Sequence, residues 1–404
     1  MSAGVAWGNL DRWLARNRGP QALAIVFGGS CNGLSFLRSL GRRGVPTLLL
    51  ESERYLGTFT RFGKVLMLPP VNAAPDLWEE VLAYVAARLD QPGVIFATSD
   101  ELCLFVSQRE AALKRHYRLL MPDATTMQQI VNKRSQYEIA QAAGIPVPAI
   151  HFPESPAAAA RVAAAMTYPC LLKPYTSHTA RKKLQGKVAV VQTAEELRAA
   201  YERITGKGIT VMIQEIIPGA DSELFGYMAF WDEAGREVTW VTKRKLRQFP
   251  PQFGDGSFQV TVDAPEVAEL SRRLLRAFRY RGFVTVEFKR SARDQVCRLI
   301  EINPRTVSGN QLAICAGVDF PWLGYQHLTG ASAGTVAPFR VGVKYVNEEW
   351  DVQAYRALHR AGQLDRRSWL RSLTGTEAWA LGAWDDPRPL LAGGWRFLRK
   401  TFGA

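Results

Sequence analysis

Gly282 to Arg305 reads GFVTVEFKRSARDQVCRLIEINPR. Two apolar, β-branched runs flank the polar stretch Ser291 to Gln295, the pattern of strand, turn, strand. A hairpin symmetric about Asp294 sets Glu287 opposite Glu301. Side chains alternate faces, so Asn303 and Arg305 follow Glu301 on the same face while the strand stays extended. Like charges placed directly opposite destabilise a sheet unless something neutralises them. A pair of hard cations does so, because Mg²⁺ takes oxygen ligands from one or two carboxylates and completes its shell with waters and nucleotide phosphates. The plainer alternative is a solvated acidic face on an edge hairpin, but such a face needs neither the asparagine nor the Pro304 turn in this order.

The rest of the chain has the composition of an enzyme with sizeable cores. It has 404 residues, 47% of them hydrophobic, which suggests two to four structural units. No apolar run reaches the roughly 18 residues needed to span a bilayer, and Met1 to Asn17 lacks the basic and apolar regions of a signal peptide. Five cysteines, Cys31, Cys103, Cys170, Cys297 and Cys315, are scattered and free of CxxC spacing. That argues against a disulfide framework or zinc site and for a reducing, cytoplasmic setting. A net charge of +14 attracts anions. Its basic residues are spread over Arg181 to Lys187, Lys243 to Arg247 and Arg272 to Arg281 rather than gathered with aromatics on one element, so no nucleic-acid partner is expected.

An α/β unit comes first. Leu23 to Phe27 reads as a buried strand, Gly28 to Gly33 as a turn, Leu34 to Arg43 as a helix and Val45 to Leu50 as a second strand. A strand entering a glycine turn and a helix makes a ligand site at the end of a parallel sheet, which marks Gly29, Ser30 and Asn32. Ser30 stands where a dinucleotide fingerprint wants glycine. Val94 to Thr98 reads as another strand with Asp100 and Glu101 at its carboxyl end, where ligands bind and where acids also serve as helix caps. The span Thr126 to Ala143 reads as one helix carrying Lys133. YPCLLKP, residues 168 to 174, presents Lys173 in an apolar setting, and a lysine there would neutralise phosphate oxygens or snorkel at the strand end. ITVMIQEIIPG, residues 209 to 219, is a strand leaving its sheet. Glu215 with the backbone of Ile216 and Ile217 could read the edge of a flat heterocycle, and Asp221 and Glu223 follow at a distance suited to ribose hydroxyls.

YPCLLKP, QEIIPG, and Glu287 spaced ahead of EINPR together resemble the ATP-grasp superfamily of carboxylate ligases. The run Lys245, Leu246, Arg247, Gln248 followed by Pro250 and Pro251 resembles its D-aspartate ligase-like, carboxylate-amine ligase subgroup. The resemblance covers about residues 21 to 330. It implies an α/β and α+β architecture: an N-terminal doubly wound parallel-sheet domain at 1–122, an ATP-grasp small lobe at 123–208, a large lobe with the metal site at 209–335, and a small helical appendage at 336–404. It implies ATP and two Mg²⁺ ions, or Mn²⁺, as cofactors. Lys133 and Lys173 would hold the α- and β-phosphates, Glu215 and Ile217 adenine, and Asp221 or Glu223 the ribose. Glu287, Glu301 and Asn303 would bind the metals, Lys245 or Arg247 would neutralise the γ-phosphate, and Arg305 would stabilise the reacting carboxylate. Substrates would be a small carboxylate and an amine, or a thiol in place of the amine, with Ser308 and Gly309 joining the Gly28 turn and Asp100 or Glu101 around them. A homodimer stays open.

The phosphate-covering loop departs from the family pattern, because Tyr175 to Arg181 is basic and poor in glycine, with His178 inside it. Pro389 to Phe402 mixes leucine and aromatic residues with arginine and lysine, which suits either an interfacial helix on anionic lipid or a helix docked on the protein's own core. Two other classes stay in view: a nucleotide-binding protein without catalysis, and a nicotinamide-dependent oxidoreductase suggested by the Gly28 turn.

Overall fold

The computed structural model describes residues 7–175, 188–331 and 337–402, with side chains to residue 396. The His178 loop therefore lies outside the described residues. Three sheets organise the chain. The first is parallel, built from β1 (Ala24–Phe27), β2 (Thr47–Glu51), β3 (Lys64–Met67), β4 (Gly93–Ala97) and β5 (Tyr117–Arg118) in the order β3-β2-β1-β4-β5. Its central strands β1 and β4 are apolar along their length because both faces are covered. Ile25, Phe27, Leu48 and Leu50 pack on one side, and Ala24, Val26 and Leu49 on the other. The strand order reverses between β1 and β4, so a crevice opens at their carboxyl ends, beside Gly28 and Thr98. The helix after β1 spans Cys31–Gly41 and starts three residues earlier than its sequence suggests. It seats tightly on the turn, since a Cβ on Gly33 would fall 1.8 Å from the Gly28 carbonyl oxygen.

The second sheet has four strands, β6 (Ile150–His151), β7 (Cys170–Pro174), β8 (Ala189–Val191) and β9 (Val211–Glu215), in the order β6-β9-β7-β8. Here the expected lobe boundary at 208/209 is corrected. Strand β9 pairs with β7 from Cys170↔Glu215 to Pro174↔Val211, and so it belongs to the small lobe.

Seven strands form the third sheet: β10 (Leu224–Trp231), β11 (Glu237–Phe249), β12 (Asp255–Thr261), β13 (Gly282–Arg290), β14 (Cys297–Asn303), β15 (Lys344–Val346) and β16 (Thr376–Trp379). They run in the order β14-β13-β10-β11-β12-β15-β16. The C-terminal segment is thus more than a helical appendage, because β15 and β16 complete this sheet. Strands of three and four residues show too little alternation to be read from sequence. Helix Phe320–Thr329 covers a face of the first sheet, where the Tyr325 hydroxyl donates to the Ala22 carbonyl at 2.8 Å.

Candidate active site

The hairpin β13–β14 forms as its sequence predicts, with Glu287 directly opposite Glu301. One detail escapes a symmetric reading. Phe288 pairs with Leu299, so Ile300 is an extra residue on β14 and the strand bulges there. Because two residues oppose one, both Ile300 and Glu301 face the same cavity while Leu299 and Ile302 stay in the core. Each carboxylate holds a lysine. The Lys245 ammonium donates to Glu287 at 2.8 Å, and the Lys133 ammonium donates to Glu301 at 2.9 Å. Lys133 can reach because the expected single helix is two, Ala124–Val131 and Lys133–Ala142, broken at Asn132. Asn132 caps the second, its side chain accepting from the N–H groups of Arg134 and Ser135, a role asparagine fills well. Lys133 is therefore the first helical residue, buried and aimed at the hairpin.

On β11 a second bulge decides which basic residues face the site. Lys245 pairs with Gln259 but Arg247 pairs with Phe258, so Leu246 is extra and side-chain parity shifts by one. Lys243, Lys245 and then Gln248 line the cavity. Arg247, expected near the γ-phosphate, turns to the opposite face. Its guanidinium donates to both Asp351 oxygens in a buried pair, at 2.9 and 2.8 Å, and to the half-buried Ser372 Oγ at 2.9 Å. This corrects Arg247 from a site residue to a brace for the C-terminal helix Glu348–Arg360. Burial works against the charge on Lys245, and Glu287 more than offsets it, so its pKa is raised. Lys243 makes no ion pair among the described residues, and burial pushes its ammonium down to about 8. Its stem crosses Gly226 and its amine lies beside Gly309, where a side chain on either glycine would collide with it.

A cavity of about 480 Å³ opens over this floor. At one end an apolar slot lies between the two lobes, with Leu171 and Pro174 from β7 facing Leu224 and Ile300. Lys173 lines it, and the backbone at Ile216 and Ile217 passes it just after β9 leaves its sheet. Glu215 also lines the cavity. Its carboxylate accepts from the Ala149 N–H at 3.1 Å and from Arg293 at 3.3 Å, so it braces the strand exit. Asp221 and Glu223, expected near the ribose, do not line the cavity. Asp221 accepts from Gln248 at 2.8 Å, and Glu223 is ion-paired to Arg244 at 2.7 Å.

At the other end the cavity meets the crevice of the parallel sheet. Ser30, Asn32, Thr98, Ser99 and Asp100 line it together with Ser308. Arg305 closes the gap between the two units, its Nε donating to Asp100 at 2.7 Å and another nitrogen donating to Asn303 Oδ1 at 3.3 Å. Burial opposes the Arg305 charge and Asp100 more than restores it, so its pKa is raised. Asn32 is occupied by structure. It donates to the carbonyls of Thr98 and Thr306 at 3.1 and 2.8 Å and accepts from the Thr306 hydroxyl at 2.7 Å, stitching β4 to the EINPRT segment. Gly29, Glu101 and Gly309 do not line the cavity. Gly29 donates its N–H to Glu51, Glu101 sits in the first turn of helix Asp100–Gln108, and Gly309 lies behind Lys243 and Gln259.

Sequence reading missed Lys243, Gln248, Gln259, Lys289, Tyr55 and Trp350, all of which line the cavity. For Lys243 the signal was available, because it lies two residues before Lys245 on a strand. Trp350 and Tyr55 come from distant segments and had none. The residues expected to hold metal, Glu287, Glu301 and Asn303, are two carboxylates and an amide, and among the described residues no cluster of three or more His, Cys, Asp or Glu could hold a metal. A donor set this sparse fits Mg²⁺, which leaves positions for waters and phosphates.

The two lobes that frame the cavity have counterparts among known proteins. Residues 124–220 match a family model described as ATP-grasp domain, and residues 228–350 match one described as ATP-grasp in the biosynthetic pathway with Ter operon. A D-aspartate ligase of Enterococcus faecium is 24% identical over 264 residues, 61% of this chain and 62% of the relative. The uncharacterized protein y4rH of Sinorhizobium fredii is 23% identical over 308 residues, covering 72% of this chain and 59% of its own length. The chain thus spans about three fifths of the curated relatives it matches. Among solved structures, a carboxyaminoimidazole ribonucleotide synthase from Aspergillus clavatus complexed with ATP superposes with a TM-score of 0.62 at 16% identity, covering 83% of this chain and 82% of that one. A biotin carboxylase from Campylobacter jejuni, also an ATP complex, gives 0.61 at 18% identity, with 80% and 74% covered. With two family models tiling the lobes that frame the cavity, and the same fold across four fifths of its length, the chain belongs to the ATP-grasp superfamily.

Proposed function

We propose that this protein is an ATP-dependent carboxylate-amine ligase. One observation carries the reading: two opposed carboxylates, each held by a buried lysine, lie on the floor of a cavity that ends at Arg305. The apolar slot between the lobes suits the adenine ring, and Lys133, Lys173 and Lys245 suit the phosphates. Glu287, Glu301 and Asn303 would hold Mg²⁺, which supplies charge neutralisation for phosphoryl transfer. When the nucleotide binds, Lys133 and Lys245 would exchange their carboxylate partners for phosphate oxygens.

Arg305, held by Asp100, would orient the substrate carboxylate. One of its oxygens attacks the γ-phosphorus and the bond to ADP breaks, giving an acyl phosphate and ADP. An amine then attacks the acyl carbon, phosphate leaves with the C–O electron pair, and the amine gives up one proton as the amide forms. Such a site works by positioning and by electrostatic stabilisation in an enclosed space that protects the acyl phosphate from water. Lys243, a buried cavity-lining amine beside Gly309 whose pKa is pushed down to about 8, would accept that proton.

The partners in this reading are a small carboxylate and an amine, and D-aspartate is a first candidate because of the Enterococcus relative. A homodimer and a membrane contact through the C-terminal helix are compatible with it. We place the reaction in the cytoplasm, in keeping with five free cysteines; no described helix is long and apolar enough to cross a membrane. The test is ADP release on mixing ATP and Mg²⁺ with a library of amino acids and small carboxylates. Glu301→Gln should abolish ADP release in a folded protein. ATP binding without ADP formation from any pair would favour a non-catalytic nucleotide-binding protein, and acceptance of thiols in place of amines would make it a carboxylate-thiol ligase.

A further inference from the structure

Helix Arg388–Phe402 has two different sides. One is seated on the protein. Pro389 and Gly393 are buried, and Gly393 comes so close to Leu381 and Leu56 that a Cβ there would lie 3.1 Å from the first and 3.7 Å from the second. The opposite side carries Leu390, Leu391 and Trp395, which are 40%, 68% and 66% exposed, and Trp384 in the preceding loop is fully exposed. Leu391 and Trp395 are four residues apart, so they form one apolar stripe, and Arg388 continues it toward the helix start. Arg396 is exposed beside the stripe and donates to the Arg54 carbonyl, and Arg54 is itself exposed. Glu53 is an exposed acid in that neighbouring segment, while Asp385, just before the helix, is already paired with Arg42 at 2.7 Å.

We infer that this face docks the protein on an anionic lipid surface. A second copy of the chain is a poor fit, because a stable protein interface takes about 20–30 residues a side, whereas this face has four large apolar side chains. Lipid suits it better. Tryptophan and leucine enter the headgroup boundary, flanking arginines meet the phosphates, and a chain of net charge +14 is drawn to a negative membrane as a whole. None of these residues lines the proposed ligase cavity, although Tyr55, the neighbour of Arg54, does. The inference therefore stands or falls independently of the proposed activity.

Co-sedimentation of the full chain with vesicles tests it. The protein should pellet with phosphatidylcholine vesicles containing phosphatidylglycerol and stay in solution with phosphatidylcholine alone. The double substitution Leu391→Glu with Trp395→Glu should weaken vesicle binding by roughly tenfold or more while far-UV circular dichroism is unchanged, and Trp395→Ala alone serves if the double variant does not fold. The inference is overturned if the parent protein stays in the supernatant with anionic vesicles or if the variant pellets equally well. It is also overturned if the same substitutions instead dissociate a dimer in sedimentation velocity.

Discussion

Replacing Asp351 with alanine separates the structural reading of Arg247 from a nucleotide-binding one. Asp351 is 1% exposed and accepts four hydrogen bonds: two from Arg247 at 2.9 and 2.8 Å, one from the Ser257 hydroxyl at 3.0 Å and one from the Trp369 indole at 2.8 Å. Removing it leaves the Arg247 guanidinium buried with only Ser372 and the face of Phe258, 4.3 Å from the ring centroid, for company. Breaking a buried pair by deleting one partner costs about 3–5 kcal/mol, most of it the uncompensated charge that remains. We expect Asp351→Ala to lose that much in urea unfolding followed by far-UV circular dichroism. Arg247→Met should lose a similar amount, because it strands the carboxylate instead. Below the unfolding transition, both variants should bind a fluorescent ADP analogue as the parent does, since neither residue lines the cavity. Two results would refute the reasoning. One is a stability loss under about 1 kcal/mol, the range of an exposed pair. The other is a folded Arg247→Met protein whose nucleotide affinity has dropped by roughly tenfold or more, as expected if the guanidinium met the phosphates.

Lys243→Met removes a buried ammonium whose pKa sits near 8 against an ordinary 10.5. Between those two values the unfolded chain binds a proton that the folded chain does not, so stability should rise with pH across the window. The cost, on the order of 3 kcal/mol, is fully present below pH 8. The variant should flatten that rise in denaturation curves and be no less stable than the parent at neutral pH; an unchanged slope would count against the burial argument. Asp100→Asn should leave binding of the ADP analogue intact while slowing ADP release by roughly tenfold or more, because Arg305 loses its charged support; an unaltered rate would show that Arg305 needs no such partner. Gly33→Ala, with its Cβ driven into the Gly28 carbonyl, should destabilise by about 1–3 kcal/mol or more, and a melting temperature equal to the parent's would refute that packing.

Local structure was legible wherever it depended on neighbours in sequence. The hairpin from Gly282 to Arg305 has its register set by its own turn and by alternating apolar residues, so the opposition of Glu287 and Glu301 could be read directly. The strands read at Leu23 to Phe27 and Val94 to Thr98 were similarly plain and form at Ala24–Phe27 and Gly93–Ala97. Two bulges were not legible. An extra residue at Leu246 turned Arg247 away and brought Gln248 in, and one at Ile300 added an apolar wall to the slot; neither leaves a mark on the hydrophobic pattern.

Chemistry and site were therefore divided between two levels. The sequence by itself determined the carboxylate pair and the lysines on their strand and helix, because these follow from residue type and local periodicity; the proposed class of reaction came from the resemblance those motifs carry. Only the tertiary structure decided partners. Lys133 meets Glu301 across 168 residues, Arg305 meets Asp100 across 205, and Arg247 meets Asp351 across 104. Such pairings depend on where whole sheets come to rest against one another, and a buried charge takes whichever opposite charge that packing delivers.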